Sequence, residues 1–477
     1  MLQRLVQFSL SQRLFILILI AVLAGAGWYA YRGLPIDAFP DVSSTQVKVI
    51  MKAAGMTPEE VENRIAVPIE VEMLGIPKTR ILRSVTKYGL VDVTIDFEDG
   101  TDIYWARQQV SERLGGILEN LPPGTEGGMA PITTPLGEMF MFTVEGDSLS
   151  LAERRSLLDW VIRPALRSVP GVADINALGG VVRAFEVVPD ALRMAAAGIT
   201  SQQLREAISA NNRNDGAGRL GEGGEVLLVR SEGNIQNLDD LRAIPVPSTR
   251  GHSLRLGDLA DVKIGTVTRY GVVTQDGKGE AVQGLVLGLA GANAQRVVEG
   301  VQAKLAELQP TLPGGISIKP FYDRALLVER AVGAVSKALL EATLLVLVLL
   351  GAFLGNLRAA LTVALVLPLA ALGTFILMRF FGMSANLMSL GGLAIAIGML
   401  VDAAVVVVEN IVQRIASDPT AGKVPRLHTI YRAVREVSVP VTAGILIIIT
   451  VFLPLLTLQG LEGKFFVPVA VSIVFAL

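Results

Sequence analysis

Asp402 and Glu409 are the residues of this chain best placed to do chemistry. Both stand in a run of membrane length, Leu387–Asn410, that is otherwise almost wholly apolar. An ionisable side chain at the centre of a membrane span costs roughly 2.5–3.5 kcal/mol on insertion scales, so a chain rarely carries one without a use for it. The i, i+7 spacing predicts one shared helix face, with the two groups about two turns or roughly 10 Å apart along the axis. A carboxylate pair on one face, turned into a helix bundle, can take up and release protons. The alternative is structural: Asp402 pairs with a basic residue on another helix and holds the bundle together. Lys337 and Arg379 lie towards the ends of apolar runs, which leaves Asp402 without an obvious counter-charge in this sequence.

The elements that must hold this pair are spans. Leu14–Tyr31 is apolar, follows Arg4 and Arg13, and closes on Trp28, Tyr29 and Tyr31, an interfacial aromatic group. Ala24-Gly25-Ala26 could serve as a signal-peptidase site, but the aromatic group suits a retained anchor. Further apolar runs cover Ala338–Leu354, Ala359–Met378, Met388–Val408 and Val439–Leu458, and a last one begins at Phe465. That last run reads as shorter than a bilayer, so the chain is expected to be a fragment. With the N-terminus in the cytoplasm, Arg4, Arg13, Arg358, Arg414, Lys423, Arg426, Arg432 and Arg435 fall on the inner side. Only Arg379 and Lys464 fall outside, as the positive-inside rule requires. Residues 411–436 carry apolar residues at helical spacing between basic ones, which fits an amphipathic segment on the inner face or a plain connecting loop.

Between the first and second spans lies a long polar stretch, residues 33–335, which is then extracytoplasmic. Gln46–Lys52 and Leu90–Phe97 alternate as strands. Thr57-Pro58-Glu59-Glu60 opens a helix, with Thr57 as N-cap and Pro58 at the first helical position. Asp102–Leu118 reads as an amphipathic helix, and Pro122-Pro123-Gly124 punctuates its end. The order resembles a split βαβ unit of the ferredoxin-like kind. A second unit starts at Met139–Glu145, with a helix opened by Ser150-x-x-Glu153, and a further capping box, Thr200-x-x-Gln203, opens another helix. Gly216–Gly224 reads as an exposed arm or hairpin. It fails as a phosphate loop, because no Lys-Ser/Thr pair follows. Asp37 and Asp41, beside Pro35 and Pro40, read as turn formers.

Composition excludes several functions. The chain has 477 residues, 51% hydrophobic and 18% charged, a net charge of −2 and no cysteine. A mean hydropathy of +0.52 fits a membrane protein with segregated polar parts. No nucleic-acid footprint shows, and there is no thiolate site or disulfide. His252 and His428 are the only histidines, and they read as solvated surface residues. No catalytic constellation is present, so an enzyme is not expected, nor is a resident cofactor.

One span, a large insertion, then further spans, with Gly391-Gly392 and Val401-Asp402-Ala403 to Glu409-Asn410 in the fourth, resembles a resistance-nodulation-division (RND) exporter. Pro35-Ile36-Asp37-Ala38-Phe39-Pro40-Asp41-Val42 and Pro135-Leu136-Gly137-Glu138 resemble its heavy-metal efflux branch, the CzcA/CusA type. The resemblance covers the whole chain and corresponds to the N-terminal half of such a protein. It implies a multi-span α-helical membrane protein with a large α+β periplasmic insertion between spans 1 and 2, built of ferredoxin-like porter subdomains and a docking subdomain. The division implied is 1–32 for the N-terminus and first span, 33–335 for the porter and docking domain (docking about 181–265), and 336–477 for spans 2–6, the last cut short. It further implies a bacterial inner-membrane homotrimer embedded in lipid, a periplasmic adaptor (membrane fusion) protein and an outer-membrane channel as partners, and protons as coupling ion. Asp402 and Glu409 would be the proton relay, their usual basic partner lying in the other half.

Within the superfamily, Ala403 after Asp402 argues against the drug-exporting branch, whose members carry two successive aspartates there. An organic-compound exporter is the alternative in the same fold, and a truncated, non-transporting product is another. Ala396-Ile397-Gly398 lacks the extra carboxylate of the zinc, cobalt, cadmium and nickel exporters. Valines at Val405–Val408 stand where a soft methionine relay for monovalent copper or silver is expected, so the metal stays open between the two classes. Met399 reads as core filling. Glu138 and Met141, with Met139 between them, are candidate metal contacts at a substrate cleft; the plain alternative is a rim carboxylate beside a strand core.

Overall fold

The computed structural model describes residues 2–37, 39–134, 136–222, 225–247, 253–354, 357–417 and 425–477. Alternating apolar residues build the first sheet. Val47, Val49 and Met51 of Gln46–Ala53, and Val91, Val93 and Ile95 of Leu90–Phe97, point into one core. Thr79–Lys87 and Thr125–Met129 flank these two strands, and every pairing is antiparallel. The helix after the first strand is capped as expected: Thr57 accepts from the Glu60 amide, Glu60 answers to the Thr57 amide, and Pro58 follows the cap. It continues without a break to Met73. The second helix, Ile103–Ile117, is capped by Asp102, whose carboxylate accepts from the Trp105 amide at 2.7 Å. The order is thus β-α-β-β-α-β, with the first and last strands adjacent.

A second sheet repeats the plan. Its strands are Glu138–Glu145, Val172–Gly179, Val282–Gly288 and Ser317–Asp323, and the first lies between the last and the third. Ser150 and Glu153 form the expected capping box, and the helix they open runs through to Arg167. Between the second and third strands the chain leaves the sheet and returns. This insertion has its own core of Leu204, Ile244, Val246, Leu256 and Val262. It contains the antiparallel ribbon of Arg183–Pro189 with Ala260–Thr266, and the helix Ser201–Asn211 capped by Thr200 and Gln203. The glycine-rich stretch forms a hairpin, Asp215–Glu222 paired with Glu225–Ser231.

Among the described residues, four helices are long and apolar enough to cross a membrane: Arg13–Gly33, Leu357–Phe380, Leu387–Ala416 and Arg426–Thr457, the last including a 3-10 turn. Two more, Arg324–Leu354 and Gly460–Ala476, cover the other apolar runs. The helices overrun the apolar runs that marked them. Once nucleated, a helix adds a hydrogen bond per residue at little cost, so it stops at a cap or breaker and not at the last apolar side chain. Residues 411–436 are therefore not one separate amphipathic helix: Ile411–Ala416 ends one long helix and Arg426 begins the next. Arg414, in the last turn of the first, and Glu436, within the second, join the two helices in a bidentate ion pair, at 2.7 and 3.0 Å. Lys423 lies outside the described residues, as does His252; His428 is exposed. A short helix, Leu2–Ser11, precedes the first span and lies against Arg426–Phe452.

Candidate functional site

The helix Leu387–Ala416 carries both carboxylates. Its start is fixed by Asn386, which is buried and whose side-chain oxygen accepts from the Met388 and Ser389 amides at 3.0 and 2.9 Å. One face packs inward: Leu393, Ala396 and Ile397 meet Leu367 and Ile473 of neighbouring helices, with Met399 filling the edge of this cluster. Gly392 lets the backbone of Gly460–Ala476 approach, since a β-carbon there would stand 2.5 Å from the Val469 carbonyl oxygen. The other face is an exposed stripe at helical spacing: Ile395, Gly398, Asp402, Val406, Glu409 and Gln413.

Asp402 and Glu409 therefore share one face of one helix. Glu409 accepts a hydrogen bond from Gln413 at 3.0 Å. Asp402 has no hydrogen bond or ion pair among the described residues. The two basic residues considered as counter-charges are engaged elsewhere. Arg379 donates to the Tyr29 carbonyl at 3.1 Å and lies over the Tyr29 ring, and Lys337 is 3.8 Å from Glu341.

Glu138 opens its strand and is exposed, while Met139, Phe140 and Phe142 enter the core of the second sheet unit and Met141 is half-buried. A register shift opposite Val286 and Leu287 interrupts the alternation here, which is why Met139 and Phe140 are both buried. Among the described residues, no group of three or more His, Cys, Asp or Glu side chains is arranged to hold a metal.

Two junctions were not legible beforehand. Arg324, buried, donates to the Asp37 carboxylate at 2.8 Å and to the Leu136 carbonyl. Asp37 is thus an ion-pair partner and not simply a turn former, because the first residue of the helix Arg324–Leu354 comes down beside it. Asp41 does form a turn, accepting from the Ser43 amide at 3.0 Å. Lys464, in the first turn-and-a-half of the last helix, donates to the Ser43 carbonyl at 2.7 Å and pairs with Asp99 at 3.0 Å, tying that helix to the first sheet unit. A cavity of about 930 Å³ opens beside it, lined by Asp41, Arg80, Glu98, Asp99, Asn386 and Lys464 among others. In the second sheet unit Glu145 is held below the usual carboxylate range, first by the Gln275 amide at 2.7 Å and also by Thr143 and Lys319.

The sequence profile of the AcrB/AcrD/AcrF family matches residues 5–477. The chain is 42% identical to the cation efflux system protein CzcA of Alcaligenes sp. (strain CT14), over 100% of this chain and 46% of that protein. It is 42% identical to the cobalt-zinc-cadmium resistance protein CzcA of Cupriavidus metallidurans and 35% identical to the cation efflux system protein CusA of Escherichia coli (strain K12), again over 46% of each. The chain thus spans somewhat under half the length of the curated relatives it matches. A crystal structure of a heavy metal efflux pump superimposes with a TM-score of 0.90 at 36% identity, over 99% of this chain and 46% of that one. The chain belongs to the AcrB/AcrD/AcrF family of RND exporters, on the side of its heavy-metal efflux (CzcA/CusA-type) members.

Proposed function

We propose that this chain acts as one half of a proton-driven exporter of heavy-metal cations in the bacterial inner membrane, and that Asp402 and Glu409 are its proton relay. One observation carries the reading: two carboxylates share an exposed face of a membrane-length helix, and Asp402 has no counter-charge among the described residues. Exposed to lipid, that face is costly; covered by the rest of a pump, it becomes a bundle interior. Protonating a carboxylate there removes a charge from low dielectric, and the helices repack around the change. The sheet units of residues 33–335 then open and close as periplasmic porter subdomains, the insertion at about 181–265 serving as the docking part. The working assembly is a homotrimer joined to a periplasmic adaptor and an outer-membrane channel. The names of the relatives, all cation efflux or metal resistance proteins, support the cargo class.

Asp402→Asn keeps the side chain's size and removes its titration. In the pump of complete length it abolishes metal resistance and leaves trimer assembly intact; undiminished resistance would sink the relay. Glu138 and Met141 are put forward as cation contacts. Glu138→Gln and Met141→Leu then weaken metal binding severalfold in a direct titration, and unaltered affinity removes both from the path.

A further inference from the structure

A proton relay moves cargo only if the carboxylate helix is mechanically tied to the sheet units. The hydrogen bonds trace such a tie. Asn386 caps the carboxylate helix, and its neighbour Ala385 makes two backbone hydrogen bonds to the segment leaving the first span: it donates to the Pro35 carbonyl at 2.9 Å and accepts from the Asp37 amide at 3.1 Å. The carboxylate of that same Asp37 takes Nη2 and Nε of Arg324 at 2.8 and 3.3 Å. The remaining arm of the guanidinium donates to the carbonyl of Leu136, just ahead of the strand Glu138–Glu145. Arg324 is itself the first residue of the helix Arg324–Leu354, which follows the strand Ser317–Asp323 with no loop between. Asp323 fixes that transition by accepting from the Ala325 amide at 2.8 Å.

Arg324 therefore joins three segments: its guanidinium reaches the exit of the first span and the entry to the second sheet unit, and its backbone stands at the strand-to-helix transition that ends that unit. A planar fork with several fixed donors suits this task, whereas a lysine ammonium would offer its donors from a single, rotatable point. A buried ion pair is a poor way to gain stability alone, because desolvation offsets the attraction. A cavity of about 100 Å³ lies against the pair, bounded by Gly137, Met139, Leu289 and Ser384 among others, and gives it room to rearrange.

We propose that Asp37 and Arg324 are positioning residues: a joint that passes movement of the Asp402 helix, through Ala385, to the second sheet unit. This rests on the relay reading given above. The test uses the pump of complete length in proteoliposomes, with Zn²⁺ and Cu⁺ as probes, reading metal transport alongside the infrared band of the Asp402 carboxyl. In Asp37→Asn the Asp402 band still appears and disappears with pH, while metal transport falls at least tenfold. The exchange Asp37→Arg with Arg324→Asp restores part of the transport. Should Asp37→Asn fail to assemble, Arg324→Lys serves instead; it keeps the charge and loses the fork, with the same expected split. Transport within twofold of the parent, or equal loss of transport and of the Asp402 band, overturns the joint while the relay stands. A parent pump with no titrating Asp402 band overturns the relay, and the joint falls with it.

Discussion

At the scale of single residues, ionisable groups in this chain are informative in proportion to how much their surroundings penalise them. Asp402 stood out because its run is otherwise almost wholly apolar. Glu145 shows the opposite case, a carboxylate welcomed by its setting. Its carboxyl lies below the usual value because Gln275 donates to it, with help from Thr143 and Lys319. A lowered folded-state value means that Glu145 contributes stability above the ordinary carboxylate value of 4.5 and loses it as pH falls through the lowered one. Gln275→Leu should cost about 1 kcal/mol at neutral pH and close to nothing at strongly acidic pH. Hydrogen exchange of the amides in Ser317–Asp323, the strand carrying Lys319, measures both; an equal cost at both pH values would refute the assignment. Asp37 marks the limit of reading residues locally. Its neighbouring prolines suggested a turn, but its partner Arg324 is 287 positions away, and no spacing rule links them.

At the scale of elements, what was legible followed from short-range physics. Thr57, Ser150 and Thr200 announced their helices because a capping box is complete within four residues, and all three boxes are present. Alternation marked Gln46–Lys52 and Leu90–Phe97 because alternate apolar residues of each strand enter one core. The membrane-length helices run past the apolar runs because hydropathy marks the solvent and not the hydrogen-bond ladder. Helix contacts were not legible, and Gly391-Gly392 counted only as part of a family motif. Two adjacent glycines now separate cleanly. A β-carbon at Gly392 would meet the Val469 carbonyl oxygen at 2.5 Å, whereas one at Gly391 would meet nothing within 4 Å. Small residues let membrane helices approach closely, and overpacking such a contact costs about 1–3 kcal/mol. Gly392→Val should therefore lower the denaturation midpoint in detergent clearly, and Gly391→Val should leave it nearly unchanged. Equal effects would mean that helix propensity, and not the approach of Gly460–Ala476, sets the glycine requirement.

At the scale of the whole molecule, the contacts sort the helix ends into two sides. The turn containing Ala385 bonds to Pro35 and Asp37, and Lys464 bonds to Ser43 and Asp99, so these ends face the sheet units. Arg414, in the last turn of Leu387–Ala416, pairs with Glu436 in the first half of Arg426–Phe452, and Arg426, Arg432 and Arg435 lie in that same half. The first sheet unit was legible as one continuous stretch. The second was not legible from pattern alone, because its second and third strands in chain order are separated by an insertion with its own core, and alternation says nothing about which distant strand returns. The basic cluster decides how this body sits in the membrane, since positively charged loops resist translocation. The absence of cysteine makes the orientation directly measurable. Trp160, 80% exposed in the second sheet unit, and His428, exposed at the start of Arg426–Phe452, offer one position on each side. In cells with a permeabilised outer membrane, Trp160→Cys should react with a membrane-impermeant maleimide, and His428→Cys should react only after the inner membrane is broken. The reverse pattern would put the sheet units in the cytoplasm, away from any periplasmic adaptor, and with them the proposed direction of export.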